Sequence, residues 1–146
     1  MEFETATSAI VDFAFANCAV DANNNIYISY VAKPSPYYLR VSRRDISTGV
    51  WTDTSLAVAD YNNEPTLSVQ GLNVFAIYQS RTAAKIYYFK CTNGVWGSRQ
   101  TLFSDVDSFG SDNGVSAFPS AVDNEIGIAT TSRYSPYKIK FGILYP

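Results

Sequence analysis

The sequence predicts an all-β chain assembled from three repeated units of four antiparallel strands. Three observations predict it. Short segments rich in Ile, Val, Tyr and Phe alternate with clusters of Gly, Asn, Ser and Pro about every ten residues, the mark of strands joined by tight connections. Aromatic residues make up 15% of the 146, and no stretch sustains a helical period. Finally, segments recur: "KPSPYYLRV" from Lys33 returns as "RYSPYKIKF" from Arg133, and Gly49-Val50-Trp51 returns as Gly94-Val95-Trp96.

Taken in order, the chain opens with "FETATSAI" from Phe3, a strand whose Phe3 precedes Val20 by 17 residues, much as Trp51 precedes Val69 by 18. Phe3 therefore stands where the other units carry tryptophan. The first unit continues with "NCAVD", a small-residue inner strand, then "NIYISYV" with Ile26, Ile28 and Tyr30, then a third strand with Leu39 and Val41, and a fourth opening at Trp51. The second unit repeats this with "TLSVQ", then Val74, Ala76 and Tyr78, then Ile86 and Tyr88, then Trp96. The third has "PSAVD", which sets Val122 opposite Val20 and Val69, then Ile126, Ile128 and Thr130, then Ile139 and Phe141. It stops at Pro146 without a fourth strand, so the N-terminal strand is expected to supply one. The expected units are residues 11–58, 59–103 and 104–146, with residues 1–10 completing the last, all within one domain.

Four-stranded antiparallel units at this period, with small residues innermost, are what the blades of a β-propeller require. A two-sheet sandwich with accidental repeats is the alternative. Three blades cannot close a ring, since propellers have about four to eight. Two chains can, so the expectation is a six-bladed homodimer in which each N-terminal strand completes the partner's last blade and hides its edge. Half of a longer natural propeller is the other way to satisfy closure.

Composition narrows the function. A formal charge of −2 provides no basic field for nucleic acid. No apolar run approaches the roughly 20 residues of a membrane span, and "MEFETATSAI" lacks the basic flank and apolar core of a signal peptide, so a soluble chain is expected. The chain has no histidine and only Cys18 and Cys91, without CxxC spacing. Zinc and histidine catalysis are accordingly not expected, nor is any cofactor. Both cysteines lie in apolar alternations and are expected to be buried free thiols, although counting alone permits a disulfide.

Candidate ligand residues cluster in the loops between second and third strands and in those linking one blade to the next. Lys33, Arg81 and Arg133 each follow the last strand residue named above by three positions, placing one basic group per unit beside Tyr37, Tyr134 and Tyr137. Tyr38 follows Tyr37 in the first of these loops, and Asp60, Tyr61, Asn62, Asn63 and Glu64 make up the connection between the first two units. Guanidinium groups pair bidentately with carboxylates and aromatic faces stack on flat ligands, a combination that suits an acidic or neutral glycan. Strand-end caps or surface ion pairs are the plainer reading of the same residues. Asp105, Asp107 and Asp112 offer oxygen ligands of the kind calcium takes, but their spacing is not that of an EF-hand, and a solvated loop is the simpler account.

"DISTGVW" from Asp45 and "KCTNGVW" from Lys90 keep the turn glycine and the tryptophan of the Asp-box. On these turns and the blade pattern the chain resembles the BNR or sialidase-like propellers, and in plan it is similar to small oligomeric propeller lectins. The resemblance implies a carbohydrate-binding, lectin-like module without catalysis. A structural or interaction propeller of a phage tail or other surface assembly is the second expectation, and a sialidase-like hydrolase fragment the third. A sialidase-like site would add an arginine triad and a tyrosine nucleophile, whereas the expected ligand loops hold only Arg81 and Arg133.

Overall fold

The computed structural model describes residues 16–32, 37–59, 63–80, 83, 85–103, 115–119, 125–131 and 139–145. These residues form twelve strands: β1 (Asn17–Val20), β2 (Ile26–Ala32), β3 (Tyr37–Arg44), β4 (Trp51–Ala59), β5 (Asn63–Gln70), β6 (Asn73–Ser80), β7 (Lys85–Thr92), β8 (Val95–Trp96), β9 (Gln100–Phe103), β10 (Val115–Pro119), β11 (Ile126–Thr131) and β12 (Ile139–Leu144). Among the described residues there is no helix, and hence none long and apolar enough to cross a membrane.

The strands pair into three antiparallel sheets in sequence order: β1-β2-β3-β4, then β5-β6-β7 with β8 and β9, then β10-β11-β12. Strands β8 and β9 both pair with β7, at Cys91–Thr92 and at Ile86–Tyr88, so they run end to end along its outer edge and share the place that β4 holds in the first sheet. The Gly-Val-Trp turns work as local chemistry requires. Asn93 and Gly94 both have positive φ, 51° and 81°, the geometry of a two-residue hairpin that favours Asn-Gly. Gly49 has φ 70° and closes a longer turn in which Asp45 accepts hydrogen bonds from the Ser47 and Thr48 amides.

The sheets stack face to face, with their first strands β1, β5 and β10 drawn together. Period-two alternation gives each strand two apolar faces, so the middle sheet is covered on both sides. On one side Val74, Ala76, Leu67 and Cys91 meet Tyr27 and Val41 of the first sheet, and Tyr78, Tyr87 and Phe89 meet Leu39. On the other, Phe75, Ile77 and Ile86 meet Val115, Ile126, Ile128 and Leu144 of the third. Hydrogen bonds tie the first two sheets at their inner side: the Ala22 amide donates to the Gly71 carbonyl at 2.9 Å, the Leu67 amide to Asn17 Oδ1 at 3.0 Å, and Ser29 Oγ to the Pro65 carbonyl at 3.5 Å.

Several expectations are corrected. The place opposite Val20 and Val69 belongs to Pro119, which pairs with Ile126 as Val20 pairs with Ile26 and Val69 with Val74; Val122 lies outside the described residues. Proline has no donor N–H and is tolerated on an edge strand, which suits its place as the last described residue of β10. Cys18 is exposed, whereas Cys91 is a buried free thiol as expected. Burial of Cys18 would need an element over the outer face of the first sheet, and no described sheet lies there. Asn63 and Glu64 belong to strand β5, and Tyr37 and Tyr38 to β3, because Asn63 pairs with Gln79, and Tyr37 and Tyr38 with Ala59 and Val58. The N-terminal strand expected from Phe3 lies outside the described residues.

Candidate functional site

The turns β1–β2 and β5–β6 are joined by the Ala22–Gly71 hydrogen bond and so share one end of the stack. It follows that β2 and β6, whose last residues are Ala32 and Ser80, leave their sheets at the opposite end. This second end is the candidate site, since the connections beginning there carry the repeated basic residues. Lys33, Tyr61, Arg81, Arg133, Tyr134 and Tyr137 lie outside the described residues. Tyr37 opens β3 and Glu64 is the second residue of β5, so the backbone of both belongs to strands that begin at that end.

Beneath this end, on the outer face of the first sheet, lies a polar cluster that sequence reasoning missed. Tyr30 Oη donates to Asp53 Oδ1 at 2.6 Å, Ser42 Oγ to the same oxygen at 3.1 Å, and Arg40 to Asp53 Oδ2 at 3.0 Å. The register explains the meeting: Tyr30 faces Arg40 across β2–β3, and Ser42 faces Asp53 across β3–β4. The Arg40 and Asp53 side chains are 34% and 28% exposed, so this carboxylate is consumed by charge-assisted bonds that leave it little capacity for acid–base work.

The opposite end holds a second network. Asp21 is buried and accepts from the Asn23 and Asn25 amides, from Asn25 Nδ2 at 2.9 Å and from Tyr27 Oη at 3.2 Å. Tyr27 Oη in turn accepts from Arg43 Nε at 3.2 Å, and Arg43 closes the chain on Asp45 at 2.9 Å. Burial, with smaller contributions from neighbouring Cys91 and Asp21, pushes the Tyr27 hydroxyl up to about 12. Burial also raises the Cys91 thiol, which is therefore inert as a nucleophile. Asp45 moves the other way, to about 2, because the Ser47 hydroxyl, the Ser47 and Thr48 amides and Arg43 all favour its charged form. Every member is satisfied by another, which makes this a structural clamp at the base of the first two sheets. Among the described residues no cluster of His, Cys, Asp and Glu could hold a metal ion, and the acidic segment 105–113 lies outside them.

No protein-family model and no curated protein matches this sequence. Among solved structures, the polysaccharide lyase Uly1 superposes with a TM-score of 0.56 over 91% of this chain at 10% identity. The chain spans 28% of that lyase's length. At this identity the likeness concerns fold: stacked antiparallel sheets in an all-β arrangement shared with a carbohydrate-active protein.

Which parts of the site were visible in advance follows from chemistry. The basic residue after each second strand is a local signal, read directly from sequence. Tyr30, Arg40, Ser42 and Asp53 are brought together only by strand register, and the one available hint was the tyrosine ending an otherwise apolar alternation.

Proposed function

We propose that the chain is a segment of a β-propeller that binds carbohydrate, acidic glycans foremost, at the end where β2, β6 and β11 leave their sheets. The observation that supports this reading is the stacking of three meandering sheets with their first strands together, as consecutive blades would stack; on this reading the connections bearing Lys33, Arg81 and Arg133 leave from one end. The fold likeness to a polysaccharide lyase supports a carbohydrate ligand. Each unit is a blade, and the strand from Phe3 completes the edge left beside β12. Lys33, Arg81 and Arg133 pair with carboxylates or hydroxyls, Tyr37, Tyr61, Tyr134 and Tyr137 supply stacking faces, and Glu64 accepts from sugar hydroxyls.

Binding is preferred to turnover on chemical grounds. Elimination beside a uronate carboxylate needs a base for the ring proton and a group to neutralise the acid. The chain has no histidine for the base, and among the described carboxylates Asp21, Asp45 and Asp53 are engaged in hydrogen bonds. A glycan array that includes uronate polymers tests the proposal, run beside an ultraviolet assay for unsaturated sugar products. Saturable binding without product is expected. Product formation would replace the binding module with a lyase, and silence across acidic and neutral glycans would overturn the carbohydrate reading.

A further inference from the structure

The two sheet interfaces within the chain obey one rule. The face of the second sheet built from Leu67, Val69, Val74 and Ala76 packs on the Tyr27–Val41 face of the first. The corresponding face of the third, built from Ala117, Ile126 and Ile128, packs on the Phe75–Ile77–Ile86 face of the second. Each sheet thus offers its leading face to the trailing face of the sheet before it. Two faces are left over among the described sheets: the leading face of the first and the trailing face of the third.

Both leftover faces carry residues that are buried wherever the rule is satisfied. On the trailing side, Leu39 and Ile86 are fully buried, while Ile139, in the same position of β12, is 79% exposed. Ile143 and Phe141 on the same side are 40% and 60% exposed. On the leading side, Leu67 is 6% exposed, whereas Cys18, in the same position of β1, is exposed and its neighbour Val20 is 54% exposed. Alternate isoleucines exposed along one strand face mark a partner surface rather than a chance feature.

We infer that a second copy of this chain seats the leading face of its first sheet, with Cys18, Val20 and Ile28, on the Ile139–Phe141–Ile143 face of the third sheet, and receives the same contact in return. The occupant is fixed by continuity with the two interfaces already present, because the only face in hand that matches a trailing face is a leading one. A head-to-tail contact either closes or runs on. Two copies give six sheets, within the roughly four to eight that close a propeller, whereas three give nine. The polar cluster on the leading face does not oppose the contact, since Arg40 and Asp53 already pair with each other and can be covered without leaving a lone charge. This inference concerns assembly and stands whether or not the ring binds glycans.

The test uses the whole chain. Light scattering across micromolar concentrations is expected to give twice the chain mass. Ile139→Asp and Val20→Asp, each at an exposed position, are both expected to reduce it to a single chain while the far-ultraviolet circular dichroism of the sheets is unchanged. Phe141→Cys, whose site corresponds to Val41 packed beside Leu67 within the chain, is expected to cross-link under mild oxidation to Cys18 of the second copy, and adding Cys18→Ser should abolish the link. A monomer mass for the unaltered chain, a mass that climbs beyond two chains, or a Phe141→Cys link that survives Cys18→Ser would each overturn the inference.

Discussion

Single residues in the clamp below the first two sheets set a pH window for stability. Asp45 titrates near 2 in the fold against an ordinary 3.8, so its contribution is complete above about pH 4 and is lost as pH falls through about 2. Tyr27 titrates near 12 against 10.0, so its contribution is complete below pH 10 and is lost as pH rises from 10 to about 12. Melting temperature followed against pH should therefore fall at both extremes. Asp45→Asn should flatten the acid limb and Tyr27→Phe the alkaline one, and an unchanged profile in either variant would remove that residue from the clamp. Backbone geometry gives a second residue-scale prediction. Gly94 sits at φ 81°, and a Cβ there would stand 3.4 Å from the Arg43 guanidinium. Gly94→Ala should cost about 1–2 kcal/mol by chemical denaturation, the strain of a left-handed conformation in an L-residue.

At the scale of elements, the fit between sheets depends on a few positions. Trp96 packs partly buried against both apolar clusters between the first and second sheets, so Trp96→Ala should cost about 3 kcal/mol, the lower end for large aromatic truncations. Gly142 is the reverse case. A Cβ there would overlap the Phe103 ring, so Gly142→Ala must displace either that ring or β12 and should cost about 1–3 kcal/mol. Denaturant midpoints measure both, and a neutral Gly142→Ala would mean that Phe103 does not hold this position. Strands were legible wherever apolar residues alternate, as in β2, β6 and β7, because burial on two faces demands such runs. Polar or small segments were not. Asn63 and Glu64 read as loop although Asn63 pairs with Gln79, and the matching place in the third inner strand reads as Val122 although Pro119 holds it. The Tyr30–Arg40–Asp53 contact was hidden because register joins residues 13 and 23 positions apart, and no local pattern encodes register.

For the whole molecule, stacking order decides which connections share the end at which binding is proposed. The basic residues after β2, β6 and β11 were visible in the sequence, but that β2 and β6 end together depends on how the first two sheets stack, which the Ala22–Gly71 bond shows and no local pattern encodes. Calorimetric titration of the chain with an acidic polysaccharide selected from the array tests the central claim most directly, comparing Arg133→Ala with Val95→Glu, a change at an exposed turn of the opposite end. Saturable binding is expected that Arg133→Ala weakens about tenfold or more, the cost of one charged hydrogen bond, and that Val95→Glu leaves unchanged. Binding untouched by Arg133→Ala but lost with Val95→Glu would place the ligand on the wrong end and contradict the claim.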